Sequence, residues 1–167
     1  MGRIAVYAGS FDPVTLGHIW MIEQGTLLFD KLIVAVGVNP EKKPYFPIED
    51  RTGLLEMATS HFKNITICQY SNRYLIKYAE EVGARYILRG IRNPADYEYE
   101  KTWRNLNSDL NPTITTIFIM PPREIAEISS STVRGLIGPD GWETIVRKYV
   151  PEGVLERLVE LHKQGKV

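Results

Sequence analysis

Short runs of aliphatic and β-branched residues alternate along this chain with longer stretches whose apolar positions recur at helical spacing. Residues 4–7 (Ile-Ala-Val-Tyr) predict a first strand and residues 19–29 a first helix. Residues 32–38 are apolar throughout rather than alternating, which predicts a strand covered on both faces. A helix over 49–60, a strand over 65–68 and a helix over 74–82 follow. Then come a strand over 86–88, a helix over 95–106, a strand over 115–119 and two C-terminal helices over 142–149 and 154–163. Pro151 suits the first turn of the last helix.

This alternation predicts an α/β fold: a Rossmann-like, doubly wound, five-stranded parallel sheet with C-terminal helices. The sequence shows no linker, repeat or low-complexity stretch, so residues 1–167 are expected to form a single domain. Parallel sheets bind ligands beyond the C-terminal ends of their strands. Chemistry is therefore expected in residues 8–18, 39–47, 71–75, 89–96 and 121–131.

Bulk composition narrows the function. Hydrophobic residues make up 44% and charged residues 24%, ordinary values for a folded protein. Lys+Arg and Asp+Glu are both 20, so no basic excess marks a general polyanion binder, and no nucleic-acid partner is expected. Cys68 is the sole cysteine, which excludes an internal disulfide and a cysteine-rich zinc site. It sits in a strand and reads as a small buried hydrophobe. Arg3 precedes only a short apolar stretch, and no run is long enough to span a bilayer. A cytoplasmic protein without a membrane partner is expected.

The first strand runs into Gly9-Ser10-Phe11-Asp12-Pro13-Val14-Thr15-Leu16-Gly17-His18. Gly9 permits close backbone approach, Ser10 offers a hydroxyl, and His18 falls at the start of a helix, where unpaired N–H groups suit phosphate. Sequence leaves the charge of His18 open: helix-end potential disfavours imidazolium, and a polyphosphate favours it. Neither G-x-x-x-x-G-K-[ST] nor G-x-G-x-x-G follows the first strand, which disfavours P-loop enzymes and dinucleotide dehydrogenases.

The other strand ends carry matching chemistry. Lys42 and Lys43 lie in a Pro-flanked loop, as a phosphate-neutralising pair or a solvated one. Arg89-Gly90-Ile91-Arg92 places two guanidinium forks at a strand end. Asp96 and Glu100 either hold those arginines, meet ribose hydroxyls or lie on a solvated face; Glu98 is a weaker candidate. Ser129, Ser130, Ser131 and Thr132 open an apparent helix, as caps and as possible phosphate contacts. His61 and His162 read as surface residues.

Gly9-Ser10-Phe11-Asp12-Pro13, Thr15-x-Gly17-His18, Lys42-Lys43-Pro44, Arg89-Gly90-x-Arg92, Asp96-x-Glu98-Tyr99-Glu100 and Ile128-Ser129-Ser130-Ser131 occur in that order. Together they resemble the bacterial phosphopantetheine adenylyltransferases, within the nucleotidyltransferases that carry (His/Thr)-x-Gly-His. The resemblance runs to about Arg134. It implies reversible transfer of the adenylyl group of ATP to 4'-phosphopantetheine, giving dephospho-coenzyme A and pyrophosphate. A related enzyme with another phosphorylated acceptor is the alternative. His18, Lys42 and Arg92 are implied as catalytic. Ser10, Phe11, His18, Gly90, Ile91, Arg92, Glu100, Ile125, Ala126, Glu127, Ile128, Ser129, Ser130 and Ser131 are implied at the ATP site. Ser10, Lys42, Leu75 and Arg89 are implied at the acceptor site, with Tyr99 and Asn107 as weaker members. Mg²⁺, a homohexamer and inhibition by coenzyme A are implied as well. Ser10 replaces the usual threonine, Ala126-Glu127 replace a small or polar residue and an aromatic, and Gly135 replaces a common glutamate.

Overall fold

The computed structural model describes residues 2–37, 44–71 and 73–165. Its centre is a five-stranded, all-parallel sheet in the order β3-β2-β1-β4-β5. The strands are β1 (Ile4–Gly9), β2 (Lys31–Gly37), β3 (Ile65–Tyr70), β4 (Tyr86–Gly90) and β5 (Thr115–Ile119). Both faces are covered. One carries Tyr7, Leu32, Val34, Val36 and Leu88, and the other Val6, Ala8, Ile33, Ala35 and Ile87. This is why β2 reads as an unbroken apolar run.

Helices α1 (Leu16–Leu28), α2 (Ile48–Thr59), α3 (Leu75–Glu81) and α4 (Pro94–Leu110) alternate with the strands. After β5 come α5 (Arg123–Ala126), α6 (Ser130–Leu136), α7 (Trp142–Val146) and α8 (Glu152–Lys163). Gly25 sets how closely α1 lies on the sheet: a Cβ there would stand 2.7 Å from Leu32 Cδ2 and 3.1 Å from Leu88 Cδ2. Helix α8 buries Val154, Leu155, Leu158 and Leu161, and packs on α2. The C-terminal segment also fixes the start of α1, because Leu16 N–H donates to Tyr149 O at 2.8 Å.

Several element ends differ from the sequence expectation, each for a local reason. β3 and β4 run two residues further because Tyr70 pairs with Gly37 and Gly90 with Ile119. Helix α4 continues to Leu110, closed by Asn111 N–H donating to Asn107 O at 2.9 Å. Pro151 is the residue before α8, with ψ 150°, rather than within its first turn. Helix α5, four residues long, had no periodicity to reveal it. His162 is half-buried, its ring 5.6 Å from that of Trp142 (centroid to centroid), and is not a surface residue. Cys68 is half-buried in β3 and shares a hydrogen bond with the Tyr78 hydroxyl.

The chain leaves β1 for β2 and β3 on one side and returns to β4 and β5 on the other. The strand order therefore reverses between β1 and β4, and their carboxyl ends open a crevice there.

Candidate active site

Geometry at the end of β1 begins with Phe11, a non-glycine residue at φ 48°. That conformation costs about 1–3 kcal/mol. Burial of the whole ring offsets it by a similar amount: Phe11 is fully enclosed, edge-on to Tyr7 at 5.6 Å and to His18 at 4.9 Å. A Cβ on Gly9 would meet the Phe11 ring at 3.1 Å, so glycine is needed where the loop folds back over it. Phe11 thus supports the His18 ring from below and does not itself form the crevice wall.

Thr15 caps α1 in extended conformation, and His18 completes a capping box. Thr15 N–H donates to His18 Nδ1 at 3.0 Å, and the Thr15 hydroxyl lies 3.1 Å from the same nitrogen. Nδ1 is an acceptor, so the neutral ring carries its proton on Nε2. Loss of solvent, with the Arg92 guanidinium adding to it, lowers the His18 pKa to about 4. The question left open by sequence is answered for the ligand-free protein: His18 presents a neutral Nε2–H donor in the crevice wall.

Two arginines are held as forks. Arg92 donates from Nε and Nη2 to Asp96 at 2.8 and 3.1 Å, and Asp96 also accepts the Arg92 backbone N–H at 3.1 Å. Hydrogen bonds from Arg92 hold the Asp96 carboxyl below its ordinary 3.8. Asn93 caps α4 by accepting Asp96 N–H at 2.9 Å, which anchors this carboxylate. Arg89 donates to both oxygens of Glu100, from Nε at 2.8 Å and from Nη2, and its Nη1 reaches Ala8 O at 2.8 Å. Of the three roles open to Asp96 and Glu100, the structure shows them holding arginines. Glu98 pairs with Lys101 on the exposed face.

The resulting crevice, about 430 Å³, is walled by Ser10, His18, Gly90, Arg92, Glu100, Ile125, Ile128, Ser129, Ser130 and Ser131, among others. Phe11, Ile91, Ala126 and Glu127 stand behind or beside that wall, and Phe11 and Ile91 are buried. A second cavity, about 470 Å³, is walled by Leu75, Arg89, Tyr99 and Asn107 with Tyr70, Tyr74, Trp103 and Leu106. Ala8, Gly9, Ser10, Gly37, Arg89 and Glu100 belong to both, so the two spaces meet at the ends of β1 and β4. Lys42 and Lys43 lie outside the described residues.

The serine run is committed in part to structure. Ser129 caps α6 by accepting Thr132 N–H at 3.1 Å, as the capping reading expected. Ser130 donates to Pro13 O at 2.8 Å, and Ser131 accepts from Arg134 Nη2 at 3.1 Å. The Ser130 bond ties α6 to the loop after β1, and the other two lie within the α6 segment.

A family model described as Cytidylyltransferase-like matches residues 6–136. A phosphopantetheine adenylyltransferase of Chromobacterium violaceum is 54% identical, over 96% of this chain and 98% of its own length. One from Neisseria meningitidis serogroup C is 52% identical, over 96% and 95% respectively. The chain belongs to the phosphopantetheine adenylyltransferase family. It is therefore a nucleotidyltransferase. A solved structure of Plasmodium falciparum nicotinic acid mononucleotide adenylyltransferase complexed with NaAD shares the fold, with a TM-score of 0.72 at 17% identity over 96% of each chain.

In this adenylyltransferase, Arg51 and Arg134 are site residues that sequence reasoning passed over. Arg51 is 2% exposed; it donates to Ser10 O at 2.7 Å, Gly37 O at 3.1 Å and Phe46 O at 3.1 Å. Asp12 accepts the N–H groups of Tyr45 and Phe46 at 2.9 Å each. Together they fasten the residues that flank the Lys42 segment to the end of β1. Arg134 donates to Asp12 O and lines the crevice. Arg51 sits among Glu49, Asp50 and Thr52, which read as a solvated helix face, so no local signal marked it. Among the described residues no helix is long and apolar enough to cross a membrane.

Proposed function

We propose that this chain transfers the AMP portion of ATP to 4'-phosphopantetheine, reversibly and without a covalent intermediate. The observation that carries this reading is the meeting of two cavities at Ser10 and Arg89, one rich in phosphate-binding groups and the other lined by aromatic and aliphatic side chains. A nucleotide in the first and a pantetheine arm in the second would bring their phosphates together at that junction.

The acceptor phosphate oxygen attacks the α-phosphorus in line; the new P–O bond forms as the bond to the β-phosphate oxygen breaks, and pyrophosphate leaves with that electron pair. The second pKa of a phosphate monoester is about 6, so the nucleophile is already largely a dianion and no general base is required. Positioning and charge stabilisation then carry the catalysis. His18 Nε2–H donates to an oxygen of the α-phosphate. Arg92, oriented by Asp96, and the serine run hold the β- and γ-phosphates. Arg89, oriented by Glu100, holds the acceptor phosphate, with Lys42 steering it and screening the repulsion between anions. On this reading Lys42→Ala raises the KM for the acceptor about 10-fold or more, in line with loss of a charge-assisted contact. Steady-state kinetics with ATP saturating is the check, and an unchanged acceptor KM removes Lys42 from the role.

The family's Mg²⁺ does not fit a protein cage here. Asp96 and Glu100 are each bidentate to an arginine, and Asp12 accepts two backbone N–H groups. Among the described residues no three His, Cys, Asp or Glu converge. An ion carried on phosphate oxygens and water needs no such cage, and no step above is routed through it.

The reading extends to assembly and control. Helix α4 exposes Tyr99, Trp103, Leu106 and Leu110 along one side, the first three at the rim of the second cavity. An apolar face of this kind supports a self-associating surface, and with the family resemblance a homohexamer. Sedimentation velocity is expected to give a hexamer for the wild type and a smaller species for Leu110→Glu; a monomeric wild type rules it out. Coenzyme A contains the product's pantetheine and nucleotide portions and would occupy both cavities as an inhibitor. A cytoplasmic location completes the reading.

The decisive assay is pyrophosphate release from ATP with 4'-phosphopantetheine, nicotinamide mononucleotide and glycerol 3-phosphate as alternative acceptors, and from CTP in parallel. Turnover with another acceptor alone would make the chain a sister enzyme. Nucleotide binding without any turnover would make it a sensor.

A further inference from the structure

A polar atom in the crevice wall has no partner in the fold. Tyr7 lies in β1 and is 7% exposed, its ring edge-on to Phe11. Its hydroxyl makes no hydrogen bond among the described residues, whereas a hydroxyl this enclosed is ordinarily bonded. Among the same residues, no side-chain polar atom sealed from solvent lacks a partner. The Tyr7 oxygen is therefore not sealed, and the opening that Tyr7 borders is the nucleotide crevice.

The polar groups around it are already engaged. Arg89 is bound to Glu100 and Ala8 O, and Arg92 to Asp96. His18 Nδ1 is held by Thr15. Burial raises the Tyr7 pKa, against the opposing pull of Arg89 and Arg92, so the phenol remains protonated and can donate at neutral pH. Of the charged groups that act on the phenol, Arg89 and Arg92 are cationic and Glu100 alone is anionic. The surroundings therefore favour an anionic acceptor over a neutral one.

We propose that the Tyr7 hydroxyl is a substrate contact, donating a hydrogen bond to a phosphate oxygen of the bound nucleoside triphosphate. This rests on the adenylyl-transfer reading above. It adds to that reading a neutral donor in the crevice wall, where Arg89, Arg92 and His18 converge. The strand encodes it: at this position an aliphatic residue would pack on Phe11 as well, and tyrosine adds a hydroxyl to a side chain that lines the crevice.

Tyr7→Phe tests it, because the substitution removes one oxygen and keeps the ring on Phe11. In the full-length protein, ATP affinity by calorimetry or kcat/KM for ATP is expected to fall on the order of 10-fold to 100-fold, the range for a lost bond to a charged group. The acceptor KM is expected to stay within twofold and the melting temperature not to drop. Wild-type values for both ATP affinity and kcat/KM overturn the proposal. A lower melting temperature also overturns it, since the hydroxyl would then have a partner within the fold. The same comparison with 2'-deoxy-ATP and 3'-deoxy-ATP is expected to show an undiminished loss; if the loss vanishes with either, the contact is to ribose and the phosphate assignment fails. Calorimetry keeps this separable from the reading it rests on. A wild type that binds ATP but releases no pyrophosphate sinks the activity, while weakened ATP binding in Tyr7→Phe still supports the contact.

Discussion

Replacing His18 with alanine is expected to lower kcat by about 10²-fold or more while ATP affinity stays within a few fold. The expectation follows from what holds the ring. Thr15 fixes Nδ1 as an acceptor through its backbone N–H, and Phe11 braces the ring face. Nε2–H is thus preset toward the crevice before substrate arrives. A preset neutral donor stabilises charge that grows on the α-phosphate as the nucleophile adds, and it matters less in the ground state. A loss of ATP affinity equal to the loss in turnover would assign the ring to binding alone.

The protonation state has its own signature. The folded pKa of His18, about 4, lies below the ordinary 6.5. Above pH 6.5 the ring is neutral in folded and unfolded chains, and it contributes nothing to the pH dependence of stability. Between 6.5 and about 4 the unfolded chain takes up a proton that the folded one refuses. Stability from this group is therefore present at higher pH and lost as pH falls through that window. Nitrogen-15 NMR of the ligand-free protein should show the Nε2–H tautomer at pH 6. An imidazolium there would contradict the structure. A bound polyphosphate shifts the balance back toward the charged form.

The second large effect is expected from Glu100→Gln. Glu100 is 8% exposed and binds Arg89 through both carboxylate oxygens. The amide keeps the shape but offers one acceptor in place of two and removes the charge. Arg89 is left under-matched in a partly solvated site, at a cost of about 2–3 kcal/mol, at or below the lower end of the range for broken buried pairs because one acceptor remains. Its fork also loses its orientation at the junction of the two cavities. The acceptor kcat/KM is expected to fall about 10²-fold, with a smaller effect on ATP. Chemical denaturation and acceptor kinetics read the two parts separately. If acceptor kinetics survive while stability drops, Glu100 is a fold residue only. An equal loss for ATP and acceptor would move it to the nucleotide side.

Much of this site was legible in the chain because strand-end chemistry is local. Thr15 and His18 lie within one turn of each other, a short loop after Gly9, and the Arg89-Gly90-Ile91-Arg92 stretch announces its forks directly. Asp96 is four residues from Arg92 in sequence, so their pairing was one of the few readings open to it. Arg51 was illegible for the opposite reason. Its acceptors are carbonyls of Ser10, Gly37 and Phe46, and nothing in the α2 sequence refers to the first two. Phe11 and Ile91 belong to the matched motifs, yet their side chains turn into the core. A motif match reports that a residue is required and is silent on which way it points.

Order along the chain settled the α/β class, the parallel sheet and the loops that carry chemistry, because hydrophobic period and turn residues act over a few neighbours. The tautomer of His18, the pairing of Arg89 with Glu100, the meeting of two cavities and the unpartnered hydroxyl of Tyr7 came only from the assembled sheet. Each depends on groups brought within a few ångströms by strand pairing. Hydrogen bonds and desolvation act at that range in space, regardless of separation along the backbone.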